Sequence, residues 1–134
     1  MREAIIDRVR DYMERASRYF DNFEQERRRG EKEKAGEALW GVVSCLLNAF
    51  FILEKGKPAS KHGVLSDFAQ QFLISSFKKG EELARVYKKV EKFHANFYHA
   101  FLDKAEFEEL CADILTLVER LDTALKDKLQ KLEL

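Results

Sequence analysis

The sequence predicts an all-α fold, an up-and-down bundle of four long helices and one short helix, in a single domain over residues 1–134. Apolar residues recur at intervals of three and four along most of the chain, which is the period of an amphipathic helix. No segment shows the strict alternation of a β-strand, and the only proline, Pro58, falls between two helical patterns. With 134 residues the chain can bury a core without disulfides or a metal.

Breaks in the apolar pattern set the expected helix boundaries. The predicted helices span Arg2 to about Arg28, about Glu31 to Glu54, Ser60 to about Phe72, about Lys79 to Phe101, and Asp103 to about Leu129. Gly30 separates the first two, because glycine readily ends a helix. Ser60 is a suitable N-cap for the short third helix. Asp103 and Glu106 make an acidic form of the capping box, which predicts the start of the last helix.

The second helix is apolar on almost every side from Ala38 to Leu53. We therefore expect it to be the central helix of the bundle, with Trp40 near the middle. This run has sixteen residues and contains Ser44 and Asn48, so it is too short and too polar to span a membrane. No signal peptide precedes the first helix, which predicts a cytoplasmic protein without a membrane partner.

Composition excludes several classes of function. The chain carries 24 basic and 24 acidic residues, so it has no net positive charge that would attract nucleic acid. A charged fraction of 36% is typical of heat-adapted prokaryotic proteins. Cys45 and Cys111 lie in apolar helical runs, either as core residues or as partners in a disulfide. No cofactor is expected, since the sequence has no glycine-rich phosphate loop or nucleophile elbow.

One polar stripe crosses the apolar second helix. Glu37, Gly41, Ser44 and Asn48 follow one another at spacings of four, three and four, which places them on one helix face. A buried polar group without a partner costs about 1–3 kcal/mol, so the stripe must face water, another polar group or a ligand. The expected counterpart is the end of the fourth helix, from His94 onward. The alternative is a polar network that only fixes the register between helices.

The end of the fourth helix holds the densest group of chemically useful side chains. His94, Asn96, Tyr98 and His99 lie within about two helical turns, and Lys92 lies just before them. Residues seven apart point in nearly the same direction, so Lys92 and His99 share one face, whereas His94 points toward the core. His94 and His99 are about 140° apart around the helix axis, and no cysteine or acidic cluster joins them. No metal site is therefore predicted.

Two further candidates are interpreted as surface features. His62, at the start of the short helix, is expected to be an exposed loop histidine. The run from Arg27 to Arg29 could hold phosphate, but acidic residues interleave it on both sides. A solvated helix end is the preferred interpretation of this run.

Three segments resemble the HEPN superfamily, and its archaeal branches in particular. They are Leu53-Glu54-Lys55-Gly56, Lys61-His62-Gly63-Val64-Leu65, and the end of the fourth helix from His94 to Leu102. The similarity spans about residues 31–121, and its motifs are short. The resemblance implies a helical bundle, usually a homodimer, often encoded beside a small nucleotidyltransferase as a toxin–antitoxin pair. It also implies metal-independent RNase activity in members that carry an arginine and a histidine at the dimer cleft.

One half of the HEPN motif is present in this chain. His99 matches the motif histidine, whereas Lys92 stands where an arginine is expected. Lysine cannot donate two parallel hydrogen bonds to a phosphate as arginine does, so the departure argues against nuclease activity. Tyr98 resembles the tyrosine that a partner nucleotidyltransferase modifies with AMP in some members. In those members, however, the tyrosine follows the histidine.

Three functions are compatible with these residues. The first is a dimeric HEPN-like interaction module that binds a nucleotidyltransferase partner or a nucleotide in a groove lined by Glu37, Ser44, Asn48, His94, Asn96 and Tyr98. The second is a metal-independent RNase in which His99 is the general acid or base and Lys92 holds the phosphate of an RNA substrate. The third is a non-catalytic scaffold bundle. A homodimer is expected in addition because 11 phenylalanines are more than a thin bundle easily buries.

Overall fold

The structure, a computed structural model, describes residues 2–99 and 102–133 apart from the side chains of residues 93 and 95–99. Over this range the chain forms five α-helices and no strand, so the predicted all-α class is confirmed. The helices are α1 (Arg2–Arg28), α2 (Lys32–Lys55), α3 (His62–Ser76), α4 (Gly80–His99) and α5 (Lys104–Glu133). The predicted bounds of α1 and α2 agree with these to within about one residue.

Local signals at the helix ends work as expected. Glu106 donates its backbone N–H to Oδ1 of Asp103 at 2.8 Å, and Oε1 of Glu106 accepts the N–H of Asp103 at 3.3 Å. This reciprocal capping box starts α5. Gly56 ends α2 in the left-handed conformation, with φ 81°, and donates its N–H to the carbonyl of Ile52 at 2.8 Å. A glycine adopts this φ without steric cost.

The central position of α2 is the organising feature of the fold. α2 packs against each of the other four helices. Its residues Leu39, Val43, Leu47 and Ile52 are completely shielded from solvent. By length and composition alone α2 could cross a membrane, but 72% of its most apolar window is buried inside the fold. Such burial on all sides is characteristic of a core helix.

A close approach between backbones joins α3 to α4. Gly80, the first residue of α4, is buried, and a Cβ atom placed on it would lie 2.7 Å from Cα of Ile74 and clash with the carbonyl oxygen of Leu73. α3 is also longer than predicted: Lys61 replaces Ser60 as its N-cap, and the helix continues beyond Phe72 to Ser76. The extra turn includes Leu73, which is completely buried. Core packing therefore sets the end of α3.

α1 and α5 run in opposite directions on the same side of α2. Arg10 near the start of α1 pairs with Glu133 at the end of α5. Arg27 at the end of α1 pairs with Glu108 at the start of α5, with Nη2 and Oε1 2.5 Å apart. Between these ion pairs the two helices leave an open groove whose floor is α2.

Candidate functional site

Three helices that are distant in sequence bring six polar and aromatic side chains together. We call this group the histidine cluster: Glu37 and Trp40 of α2, His62 and Ser66 of α3, and Glu91 and His94 of α4. The close α3–α4 packing brings the start of α3 beside the second half of α4. The cluster lies at the edge of the core, where its side chains are reached by solvent.

His94 and Glu37 connect α4 to α2. Nδ1 of His94 lies 3.0 Å from Oε2 of Glu37, which is a hydrogen-bond distance. The two side chains are 38% and 32% exposed, so this contact is not sealed from water. A carboxylate on one ring nitrogen of a neutral histidine keeps the proton on that nitrogen and fixes the orientation of the ring. Glu37 can therefore orient the imidazole of His94 at the surface.

His62 and Glu91 form a second histidine–carboxylate pair. Nε2 of His62 lies 3.1 Å from Oε2 of Glu91, and Oγ of Ser66 donates to Oε1 of the same carboxylate at 3.2 Å. Ser66 follows His62 by one helical turn, so one face of α3 contacts both oxygens of Glu91. His62 is exposed, as predicted, but it is the first residue of α3 rather than a loop residue.

The indole ring of Trp40 lies against both histidines. Its centroid is 4.7 Å from that of the His94 ring, with 24° between the planes, and 5.5 Å from that of the His62 ring. The two imidazole centroids are 6.5 Å apart. The sequence predicted Trp40 near the middle of the bundle. In the structure it is half-buried and packs at the edge of the core. Its Nε1 atom is buried and has no acceptor among the described residues.

Tyr87 lies one helical turn before Glu91 and is almost fully buried. The pKa of its hydroxyl is raised to about 12, mainly by burial and also by the charge of Glu91, while an interaction with Ser66 opposes the rise. The hydroxyl forms no hydrogen bond of normal geometry with a described residue. Tyr87 is therefore protonated near neutral pH and is held in place by packing.

The chemistry available to the cluster is recognition and proton exchange. It combines two imidazoles, two carboxylates and a hydroxyl around one indole. Among the described residues, no three His, Cys, Asp or Glu side chains come close enough together to hold a metal ion. The cluster includes two carboxylates and no lysine or arginine, so it is not a basic patch.

Asn48 of the polar stripe contacts the backbone of the loop between α2 and α3. Its Oδ1 atom accepts the backbone N–H of Ala59 at 2.9 Å, so Asn48 holds the loop between α2 and α3. Ser44, one turn earlier, is half-buried. Of the polar stripe on α2, Glu37 contacts His94. The side chains of residues 93 and 95–99, which the rest of the stripe was expected to face, lie outside the described residues, so the groove through Glu37, Ser44 and Asn48 stays a prediction.

Other predicted site residues lie mainly outside the described part of the chain. Lys92 is described and is exposed on α4. The side chains of Asn96, Tyr98 and His99 lie outside the described residues. Their roles in a groove or in catalysis therefore stay predictions.

Sequence reasoning did not assign Trp40, His62, Ser66 and Glu91 to a common site. A usable signal was present in the helical spacing. His62 and Ser66 are four apart on α3, and Glu91 and His94 are three apart on α4, so each pair lies on one helix face. The spacing does not show that these two faces meet.

The cysteines belong to the core and not to a site. Cys45 and Cys111 are both buried and both free thiols, so the core interpretation is correct and the disulfide alternative is wrong. Burial raises the pKa of Cys45 to about 11, against the lowering effect of Arg15 and Arg18. Burial likewise raises the pKa of Cys111 to about 12. Thiols with such pKa values are poor nucleophiles at neutral pH.

Comparison with known proteins does not assign the chain to a family. No protein-family model, no curated protein and no solved structure gives a significant match. The resemblance to HEPN proteins therefore stays a prediction that rests on the short motifs quoted above.

Proposed function

We propose that this chain is a HEPN-like helical interaction module whose histidine cluster binds a partner protein. The observation that supports the proposal is the convergence of two histidine–glutamate pairs on Trp40, on a partly exposed surface built from three helices. Tryptophan anchors with polar surroundings are frequent in protein-binding hot spots. The family resemblance suggests a small nucleotidyltransferase as the partner, in a toxin–antitoxin pair. An up-and-down bundle of four long helices and one short helix, a homodimer and a cytoplasmic location belong to the same proposal.

The charges of the cluster favour a protein partner over RNA or a nucleotide. Binding of polyphosphate depends on clustered lysine and arginine side chains. Here Glu37 and Glu91 each occupy one side of an imidazole, at 3.0 Å and 3.1 Å. Their carboxylates would repel a phosphate that approached the rings. A protein surface can instead pair its own donors with these carboxylates.

The fluorescence of Trp40 reports directly on the cluster, because it is the only tryptophan of the chain. The first step is to establish whether a small nucleotidyltransferase is encoded beside the gene of this chain. That protein is then titrated by calorimetry against the wild type and against His62→Ala and Glu91→Gln, with ATP and oligoadenylate RNA as separate probes. We expect protein binding that each variant weakens by about tenfold or more, the effect of losing one hot-spot contact.

A matched control separates recognition from general damage. Glu3 is exposed at the start of α1, a helix that contributes no residue to the cluster, and Glu3→Gln should bind as the wild type does. The melting temperature of every variant is measured in parallel. A binding loss shared by Glu3→Gln, or no binding of the nucleotidyltransferase, contradicts the proposal. Saturable quenching by RNA or ATP, without protein binding, would identify a nucleotide site instead.

The alternative RNase function requires a cation on the scissile phosphate and an acid or base in reach. Lys92 is exposed and could supply a positive charge, but it cannot donate two parallel hydrogen bonds to a phosphate as the planar guanidinium group of an arginine does. We therefore expect little or no cleavage of tRNA or mRNA in the presence of EDTA. The control is His99→Ala, prepared in the same way. Cleavage that persists in EDTA and disappears in His99→Ala would establish the nuclease and overturn the non-catalytic proposal.

A further inference from the structure

An apolar groove opens between α1 and α5 on the described surface. It has a volume of about 650 Å³. Val42 and Leu46 of α2 form its floor and are only 2% exposed. Its walls are half-buried apolar side chains, Met13 and Phe20 from α1 and Leu115 and Val118 from α5. Apolar groups that contact the core on one side are thus open to solvent on the other.

The dimensions of the groove match a short stretch of helix. Along α1 it extends from Met13 to Phe20, about 10 Å at the rise of an α-helix. Along α5 it extends from Leu115 to Lys126, about 16 Å. Two to three turns of another helix therefore have room to lie between α1 and α5. The Arg10–Glu133 and Arg27–Glu108 ion pairs join the two helices at either end and leave the middle open.

The rim of the groove is acidic. Its charged lining residues are Glu14, Glu119 and Asp122, against one cation, Lys126. Lys126 is already paired with Asp122 at 2.9 Å, and Glu14 lies 4.0 Å from the guanidinium of Arg18. Glu119 has no ion-pair partner among the described residues. An incoming helix would therefore meet an apolar channel whose charged lining residues are mainly acidic, with Glu119 as the carboxylate outside these ion pairs.

From this combination we infer that the α1–α5 groove binds a basic amphipathic helix of a partner protein. Apolar residues spaced three and four apart would enter the channel, and flanking lysines or arginines would reach Glu14 and Glu119. Opposite charges at the rim of an interface accelerate association and select the partner. The groove lies between α1 and α5, whereas the histidine cluster is built from α2, α3 and α4, so this site is independent of the proposed function.

The charge pattern argues against a second copy of this chain as the occupant. A two-fold symmetric interface brings the same patch of both copies together. The acidic rims of both copies would then share one interface, and like charges in proximity are unfavourable. A basic partner meets no such repulsion.

A pair of designed peptides tests the inference. The first is a labelled helix of about 18 residues with a leucine stripe flanked by lysines, and its twin carries glutamates in place of the lysines. Fluorescence anisotropy should show saturable binding of the basic peptide and binding at least about tenfold weaker of the acidic twin. Amide chemical shifts of α1 and α5 should change on binding, and those of α3 should not.

Variants of the groove locate the binding. Ser17 is exposed and lines the groove, so the side chain of Ser17→Trp should fill the channel without entering the core. We expect this variant to weaken binding of the basic peptide by about tenfold or more. Ser75→Trp, on the exposed face of α3, is the matched control and should bind normally. The double variant Glu14→Lys, Glu119→Lys should reverse the preference between the two peptides. Glu54→Lys with Glu109→Lys, away from the groove, should not.

The inference is overturned by three results. One is equal binding of the basic and acidic peptides. Another is undiminished binding to Ser17→Trp while its circular dichroism matches the wild type. The third is a dimer in sedimentation equilibrium that Ser17→Trp dissociates, because a second copy would then occupy the groove. If Ser17→Trp does not fold, the surface charge reversal still decides between the peptides.

Discussion

Replacement of Gly80 by alanine tests how α3 and α4 are joined. Gly80 is buried where α4 begins, and its Cα faces the backbone of α3 at Leu73 and Ile74. An alanine Cβ would stand 2.7 Å from Cα of Ile74 and 2.8 Å from its carbonyl oxygen, and closer still to the carbonyl oxygen of Leu73. Backbone atoms cannot rotate aside as a side chain can. The two helices must therefore separate, and their packing is lost in part.

The magnitude follows from two opposing effects. Alanine is favoured over glycine in a helix by up to about 1 kcal/mol. Overpacking in a closely packed region typically costs about 1–3 kcal/mol, and the upper end applies here because the clash involves backbone. We expect Gly80→Ala to lower the free energy of unfolding by about 2–3 kcal/mol. The displacement should also move His62 away from Trp40, because α3 carries one ring of that contact.

Gly63→Ala is the matched control. Gly63 lies in the first turn of α3, as Gly80 begins α4, and a Cβ on Gly63 would meet no atom within 4 Å. We expect this variant to be neutral or to gain up to about 1 kcal/mol. The assay is urea unfolding followed by circular dichroism, with the emission of Trp40 as a second signal. Equal stability of the two variants, to within about 0.5 kcal/mol, would refute the close-approach argument.

The buried thiols, the Asn48 hydrogen bond and the α5 cap yield four further predictions. Cys45 and Cys111 should resist thiol reagents in the folded protein at neutral pH, because burial raises their pKa values to about 11 and about 12. The stability that these protonated thiols contribute is complete below their ordinary pKa of 9.0 and is lost as the pH rises through 11 and 12, so the urea midpoint should fall there. Asn48→Leu should lower the free energy of unfolding by about 1–2 kcal/mol, because the half-buried N–H of Ala59 loses its acceptor. Asp103→Ala should cost about 1 kcal/mol, because α5 loses its N-terminal cap.

Each of these predictions has its own control. Cys45→Ala should remove part of the alkaline loss of stability, and labelling of the native thiols as fast as in urea would contradict their burial. Asn48→Asp keeps an acceptor oxygen, so it should be less harmful than Asn48→Leu, and equal losses would show that the hydrogen bond contributes nothing. Asp103→Asn should retain the cap, and thermal melting of both Asp103 variants measures the difference.

The sequence alone determined the helices and most of their ends. The apolar period of α1 and α2, the left-handed Gly56 and the Asp103–Glu106 capping box act through neighbours a few residues away. Such local effects are the same whatever the rest of the chain does. The Glu37–His94 contact could also be predicted from the sequence, because an acidic side chain on an apolar helix needs a polar partner.

Only the tertiary structure decided which faces of the helices meet. His62 and Glu91 are 29 positions apart, and Glu37 and His94 are 57 apart. Their contacts depend on how far each helix is rotated about its axis and at what height it crosses α2. Rotation and height result from the simultaneous packing of all side chains in the core, including the glycine that lets α4 approach α3. The pattern of residue types along one helix does not show how all the core side chains pack together. The histidine cluster and the α1–α5 groove therefore become visible only in the folded chain.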